Sequence, residues 1–286
     1  MTDVIQDAAQ LDAYEAYREA RRRFVTGAQG NLALVNTEWI TGDPSVGQSA
    51  FGVPGLWFAL PEGESGLRLE ASAAEGISVD GELVDGSVRV YGQDSERASG
   101  VRFSTTVTGF VIASEEGTYA LRVWDAKSES NRDFGSIDAF DFDPAWVVTA
   151  AFTPIEGGRA IGVEHLKDNG VPRERVVPAE ITFEKDGVAH ALTAFEDNGN
   201  LLLVFSDATS GDTTYGVGRF MKLVPDARQN DTGPGTVTLD FNRAYLPPCA
   251  FSYHFNCPMP PRENRLTIAI EAGEKNVLNA EGTLLH

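Results

Sequence analysis

From residue 31 onward, short runs of alternating apolar and polar residues recur, separated by Gly-containing turns. That pattern constrains the fold more than any other feature of the chain. Alternation with period two builds strands with one buried face, and turns this tight join neighbours antiparallel. Leu67-Arg68-Leu69-Glu70 and Ser87-Val88-Arg89-Val90-Tyr91 alternate, and Ile77-Ser78-Val79 runs into the turn Asp80-Gly81. Residues 107–113 and 118–124 read as a hairpin across Glu115-Glu116-Gly117, and 146–152 as a further apolar strand. Residues 180–184 turn at Lys185-Asp186-Gly187 and return through 188–195. A second turn, Asp197-Asn198-Gly199, leads into the apolar run 201–205, completing a three-strand meander. Strands are also expected at 216–224, 236–241 and 266–271, the last of them closing the fold, with a loose tail after Lys275.

One stretch has a helical period. Across residues 7–25, Leu11, Tyr14, Tyr17 and Phe24 fall on one stripe, with Glu15, Arg18, Glu19 and Arg22 between them. The expected fold class is therefore mostly β, an N-terminal amphipathic helix followed by antiparallel β modules, each a sandwich or a partly open barrel. Gly157-Gly158, Asn169-Gly170, Pro172 and Pro178 make 153–178 the expected boundary. The expected organisation is a helix at 1–26, a first β module at 27–155 and a second at 156–286.

Charge narrows the function classes. The 286 residues carry 23 Lys+Arg against 42 Asp+Glu, a formal net charge of -19. Nucleic-acid binding requires clustered cations to neutralise phosphates, and an anionic membrane surface requires them too. The only basic run is Arg21-Arg22-Arg23, so neither partner is expected. The acidic N-terminus has no apolar leader segment and no run is long enough to span a bilayer. A cytoplasmic location is expected, with Cys249 and Cys257 as thiols.

Two stretches combine uncommon residues. Phe205-Ser206-Asp207-Ala208-Thr209-Ser210-Gly211 continues to Tyr215-Gly216-Val217-Gly218-Arg219. Asp240-Phe241-Asn242-Arg243-Ala244-Tyr245-Leu246-Pro247-Pro248-Cys249-Ala250-Phe251 leads through Cys257-Pro258-Met259-Pro260-Pro261 and Glu263-Asn264-Arg265-Leu266 to Ala272-Gly273-Glu274-Lys275. Over residues 181–275 the chain resembles the prokaryotic domain-of-unknown-function family numbered sixteen eighty-four, whose members carry D-F-N-x-A-Y-N-P-P-C-A-F, then T-C-P-x-P-P-x-E-N-x-L and A-G-E-K. Leu246 stands where Asn is usual and Asn256 where Thr is usual. The resemblance implies no activity.

The chemistry of these residues can be weighed directly. Arg219, Asp240, Asn242, Arg243, Asn264 and Arg265 flank a Pro-stiffened loop, and long ordered loops tend to carry function. If they converge, the guanidinium groups suit a small polar or anionic ligand, carboxylate or phosphate. The competing reading is that they satisfy the loop's own backbone or fix it by an ion pair. Cys249 and Cys257, with seven residues and His254 between, lack the close Cys spacing of zinc sites, so no metal is expected. Packed thiols and a disulfide both remain open. No nucleotide, metalloprotease or serine-hydrolase motif occurs, and no cofactor is identifiable. The expected function is binding of a small polar or anionic ligand. The alternatives are an enzyme, such as a hydrolase with Asp240 or Glu263 as general base, and a structural or interaction module.

Overall fold

The computed structural model describes residues 2–197, 199–223 and 234–285, with side chains of the N-terminal helix described from residue 9. Asn198 of the expected turn and Val224 of an expected strand lie outside these residues. The chain is mostly β, with an N-terminal helix and antiparallel sheets. It divides into two compact units, one made of Met1–Arg22 with Phe134–His286 and the other of Arg23–Asp133.

The unit of residues 23–133 is built from two sheets. One orders its strands Leu34–Ile40, Tyr119–Asp125, Val107–Ala113, Gly100–Arg102, Ser78–Val79 and Glu82–Leu83. The other orders Gln48–Ser49, Leu56–Ala59, Leu67–Ala71 and Gly86–Val90. Ile40, Val79, Val111 and Leu121 from the first sheet share one apolar cluster with Trp57, Leu67, Leu69 and Val90 from the second. The two sheets thus pack as a sandwich, as the alternation of their sequences demands. The expected hairpins are present, at Asp80-Gly81 and across 114–118.

The other unit has a six-stranded sheet at its centre, ordered Arg219–Leu223, Asn200–Phe205, Val188–Asp197, Arg173–Lys185, Val147–Val163 and Gly235–Asp240. Ile181, Phe183, Leu192, Leu203, Phe205, Met221, Val237 and Leu239 form one apolar cluster on it, together with Trp146 and Phe241. Phe205 and Phe183 lie 5.7 and 5.6 Å from the Phe241 ring, which anchors the cluster. Phe195, Leu202, Val204 and Phe220 point to the opposite face and join a second cluster with Val163, Cys249 and Cys257. Burial on both faces explains why residues 201–205 are continuously apolar.

Two expectations are corrected here. Residues 153–178 form no boundary between modules: most of them belong to the strands Val147–Val163 and Arg173–Lys185, which pair through Val163↔Arg173. The Gly157-Gly158 pair, both at φ 72°, absorbs a register shift inside the first of these strands. The expected 155/156 boundary therefore falls within a strand, whereas the compact units divide at 22/23 and 133/134. The last strand is Glu274–Asn279 rather than 266–271. It pairs with Phe134–Ala139, so the expected loose tail is instead held in a two-stranded sheet.

The helix Thr2–Val25 is tied down by polar contacts as much as by its stripe. Tyr14 is buried, but Leu11 and Phe24 are exposed. Tyr14 and Tyr17 donate hydroxyl hydrogen bonds to the carbonyls of Phe140 and Arg243, at 3.2 and 2.9 Å. Arg18 donates to the Ile137 carbonyl at 2.7 Å. Arg21 forks onto Glu274 with 2.8 and 2.9 Å contacts, and Glu274 also accepts the Leu246 N–H at 2.7 Å. No helix of the described residues is long and apolar enough to cross a membrane.

Candidate functional site

The signature residues are each engaged with the protein's own backbone or side chains. Arg219 opens the strand Arg219–Leu223 and is fully buried. Its guanidinium pairs with Asp207 and donates to the carbonyls of Ala272 and Ile270. Asp207 is equally buried and accepts from the backbone and hydroxyl of Thr209. Burial draws Arg219 below its ordinary pKa while Asp207 opposes the shift. Its Nε alone has no partner among the described residues. Removing one member of so buried a pair costs about 3–5 kcal/mol, because the other charge is left stranded.

Asn264 is also fully buried. The ladder between the strands Val188–Asp197 and Asn200–Phe205 stops at Ala194↔Leu203. Just beyond it, Asn264 accepts the Thr193 N–H at 2.8 Å and donates to the carbonyls of Thr193 and Val204 at 2.7 Å each. Its amide stands in for backbone groups that would otherwise be buried unpaired. Asn242 does the same for Asp143, exchanging two 3.0 Å hydrogen bonds with its backbone. Asp240 accepts the Asn242 N–H and pairs with Arg243 at 3.2 Å. Arg243 also lies over the Tyr17 ring, 5.5 Å from its centroid. Arg265 is exposed and donates to the Pro260 carbonyl.

The structure thus joins Asp240, Asn242 and Arg243 to one another. Arg219, Asn264 and Arg265 are each held by other partners. The two carboxylates considered as general bases are not enclosed. Asp240 and Glu263 keep 26% and 49% of their side-chain surface exposed, and Glu263 faces Arg159 at 3.7 Å.

A different cluster forms where the loop folds back on the sheet. The hairpin turn after Val163 runs antiparallel to residues 256–259, through His165↔Pro258 and the bonds Leu166 N–H to Cys257 O and Met259 N–H to Glu164 O. Asp168 organises this corner: Arg173 forks onto it at 2.6 and 2.9 Å, and Asn256 donates at 2.7 Å. Asn256 also accepts the Lys167 N–H at 2.8 Å, which sets Lys167 beside the loop apex 252–256. The Arg173 hydrogen bond, chiefly, holds Asp168 below the usual carboxylate range.

The apex presents exposed Tyr253 and half-buried His254. Burial, and then the nearby Lys167 charge, hold the His254 imidazole below its ordinary value. At its base Cys249 and Cys257 are buried thiols, with the Cys249 N–H donating to Cys257 Sγ at 3.2 Å. The Tyr215 hydroxyl donates to the Cys249 carbonyl at 3.3 Å. Burial, and then Cys249, push the Tyr215 phenol up. Among the described residues, no three His, Cys, Asp or Glu side chains are grouped to hold a metal ion, and Cys249, Cys257 and His254 form no such group.

Sequence reasoning weighed His254 and the two thiols but missed Lys167, Asp168 and Tyr215. Lys167 and Asp168 lie in the segment expected to be the boundary between the two modules. Only the strand pairing that brings 164–168 against 256–259 reveals them.

Comparison with known proteins adds a family and no activity. The model of a family described as "Protein of unknown function (DUF1684)" matches residues 132–275. An uncharacterised protein of Haloarcula marismortui, solved by solution NMR, is 35% identical over a match covering 50% of this chain and 77% of that one, with a TM-score of 0.41. No curated protein matches the chain.

Proposed function

We propose that this chain, which belongs to the DUF1684 family of proteins of unknown function, binds a small anionic ligand at the loop apex formed by Lys167, Tyr253 and His254. The observation that carries this reading is a contrast in how donors are used. Arg219, Asn242 and Asn264 spend theirs on the protein's own carbonyls and carboxylates. The Lys167 ammonium and the His254 imidazole make no hydrogen bond or ion pair among the described residues, and a rigid corner holds their backbones together. An ammonium supplies charge and a neutral imidazole supplies one directed N–H, a pair suited to phosphate or carboxylate oxygens. The expected anionic ligand is retained in this reading, and its seat moves from the arginines to this corner.

Binding and protonation are linked at such a site. An anion beside His254 favours the imidazolium, so it raises the His254 pKa, and affinity rises as pH falls through that range. Titration with inorganic phosphate, followed by the His254 ring NMR signals, tests this. The expected outcome is saturable binding with an upward shift of the His254 titration. Lys167→Ala should weaken it at least about tenfold, a loss of about 1.4 kcal/mol. Arg243→Ala should leave it unchanged. Equal loss in both variants, or no saturation with phosphate or a dicarboxylate, would remove the assignment.

A further inference from the structure

We propose that Cys249 and Cys257 form a reversible redox pair whose substrate is a hydroperoxide, Cys249 being the attacking thiol and Cys257 the resolving one. This stands apart from the anion reading and needs no ligand at the apex. Three features of the loop carry it.

The first is proximity. The Cys249 N–H donates to Cys257 Sγ at 3.2 Å, so the second sulfur already rests against the backbone of the first. The two side chains are also hydrogen-bonded to each other, so the sulfurs already lie side by side at the loop base. Seven residues separate the two positions, and Pro247-Pro248 and Pro260-Pro261 brace the segment on both sides. The second is chemical asymmetry. The Cys249 thiol is held below its ordinary value, first by its hydrogen bond with the Cys257 side chain. Burial opposes this, and the Tyr215 hydroxyl and the Lys167 charge add to it. A thiolate is the nucleophile in such chemistry, and lowering by neighbours of this kind marks reactive thiols. The third is enclosure. Both cysteines are 4% exposed and belong to a cluster with Phe195, Phe220, Tyr245 and Phe255. That wall keeps both sulfurs from a second protein thiol or a bulky disulfide, and it favours an internal bond over a link between chains.

The steps balance. Cys249 thiolate attacks the terminal peroxide oxygen, the O–O bond breaks, and the leaving hydroxide, or the alkoxide of an organic hydroperoxide, takes a proton to become water or the alcohol. The product is Cys249 sulfenic acid. Cys257, as thiolate, then attacks the Cys249 sulfur and displaces hydroxide, which takes a proton and leaves as water. Two thiols are oxidised by two electrons to one disulfide, and one hydroperoxide is reduced. A dithiol reductant reverses the change by exchange. The Cys249 N–H hydrogen bond to the Cys257 thiol is altered in the oxidised form, so the loop base changes while its apex stays bonded to Asp168 through Asn256.

The experiment is mass spectrometry of the full-length folded protein after hydrogen peroxide, with alkylation in denaturant. Wild type should lose two hydrogens, take up no alkylating reagent and yield a peptide pair linked through Cys249 and Cys257. Dithiothreitol should restore two alkylatable thiols. In Cys257→Ser, Cys249 should accumulate sulfenic and then sulfinic acid; in Cys249→Ser, Cys257 should stay unmodified. Tyr215→Phe should slow disulfide formation several-fold without changing its end point. Persistence of two free thiols in wild type would overturn the proposal, and so would stepwise over-oxidation without a linked peptide. A rate that climbs with the unfolded fraction in dilute urea would assign the reaction to the unfolded chain and overturn it as well.

Discussion

Among single residues, His165 shows what this corner does to a titrating group. It is 8% exposed, and its Nδ1 lies 3.7 Å from an Asp168 oxygen. Burial is the first cause holding it below its ordinary value of 6.5, with the Arg173 charge adding to the shift and Asp168 opposing it. In the window below 6.5 the unfolded chain therefore binds more protons than the folded one, and stability rises with pH there. The contribution of neutral His165 is complete above pH 6.5 and is lost as pH falls through its folded value. Asp168 is depressed too, but from 3.8, so its contribution is present above that value and lost only below it. The two windows open at different values, 6.5 for His165 and 3.8 for Asp168. Urea midpoints at pH 7.5, 6 and 5 should fall stepwise, and His165→Asn should flatten that fall while leaving the acid limb below pH 4. An unchanged slope in His165→Asn would show that other groups carry it, with His254, shifted in the same direction, the first to substitute. The sequence makes residue types and their rarity visible here, but not their partners. Arg219 and Asn264 stand out in a linear reading as ligand candidates for the same reason they serve as internal fasteners: both carry several donors. Only burial separates the two roles.

Among the elements, the N-terminal helix and the loop after Asp240 depend on each other through one carboxylate. Glu274 is 1% exposed, receives both arms of Arg21 and also takes the Leu246 N–H. The Arg21 guanidinium in turn lies 4.9 Å from the Tyr245 ring centroid. Burial is the first cause pushing the Tyr245 phenol up, to about 12, so it stays neutral near this charge pair. Gly273, at φ 82°, lets the chain pass close to the carbonyls of Ala244 and Phe241, where a Cβ would sit 2.6 and 2.7 Å away. Glu274→Ala should therefore cost about 3–5 kcal/mol, since it strands Arg21 and an amide together. Tyr17→Phe, which removes one hydroxyl bond to Arg243, should cost about 1 kcal/mol. Denaturant midpoints of both variants check the ratio; comparable losses would mean that the helix is held by packing instead. The helix and nearly every hairpin are legible from periodicity and turn residues. What periodicity misreads are residues 153–178 and the C-terminal strand. In the first, glycines mark a bulge rather than an end. In the second, Glu274–Asn279 pairs with a strand more than a hundred residues earlier, a contact that no local pattern encodes.

For the whole molecule, the chain order and the spatial order differ. Residues 23–133 form a compact unit placed in sequence between the helix and the remainder of the unit that helix belongs to. A single boundary near the middle of the chain is the natural reading of composition, yet the division falls at two places, one in the last turn of the helix and one just before Phe134–Ala139. Each unit has its own apolar cluster: Trp57, Leu67 and Leu121 in the first, Phe205, Phe241 and Leu239 in the second. A unit of this size with a continuous core is expected to unfold cooperatively by itself. Residues 23–133 expressed alone should give a β-type circular dichroism spectrum and one sigmoidal urea transition. The same independence can be read in the intact chain. Trp57 and Phe241 are both fully buried, so Trp57→Ala and Phe241→Ala should each cost roughly 3–5 kcal/mol, but in different units. Hydrogen exchange followed by mass spectrometry then separates them. Trp57→Ala should loosen amides across 34–125 and spare those of 173–205, and Phe241→Ala should do the reverse. If either substitution loosens both sets equally, the two cores unfold as one cooperative block and the division is geometric only.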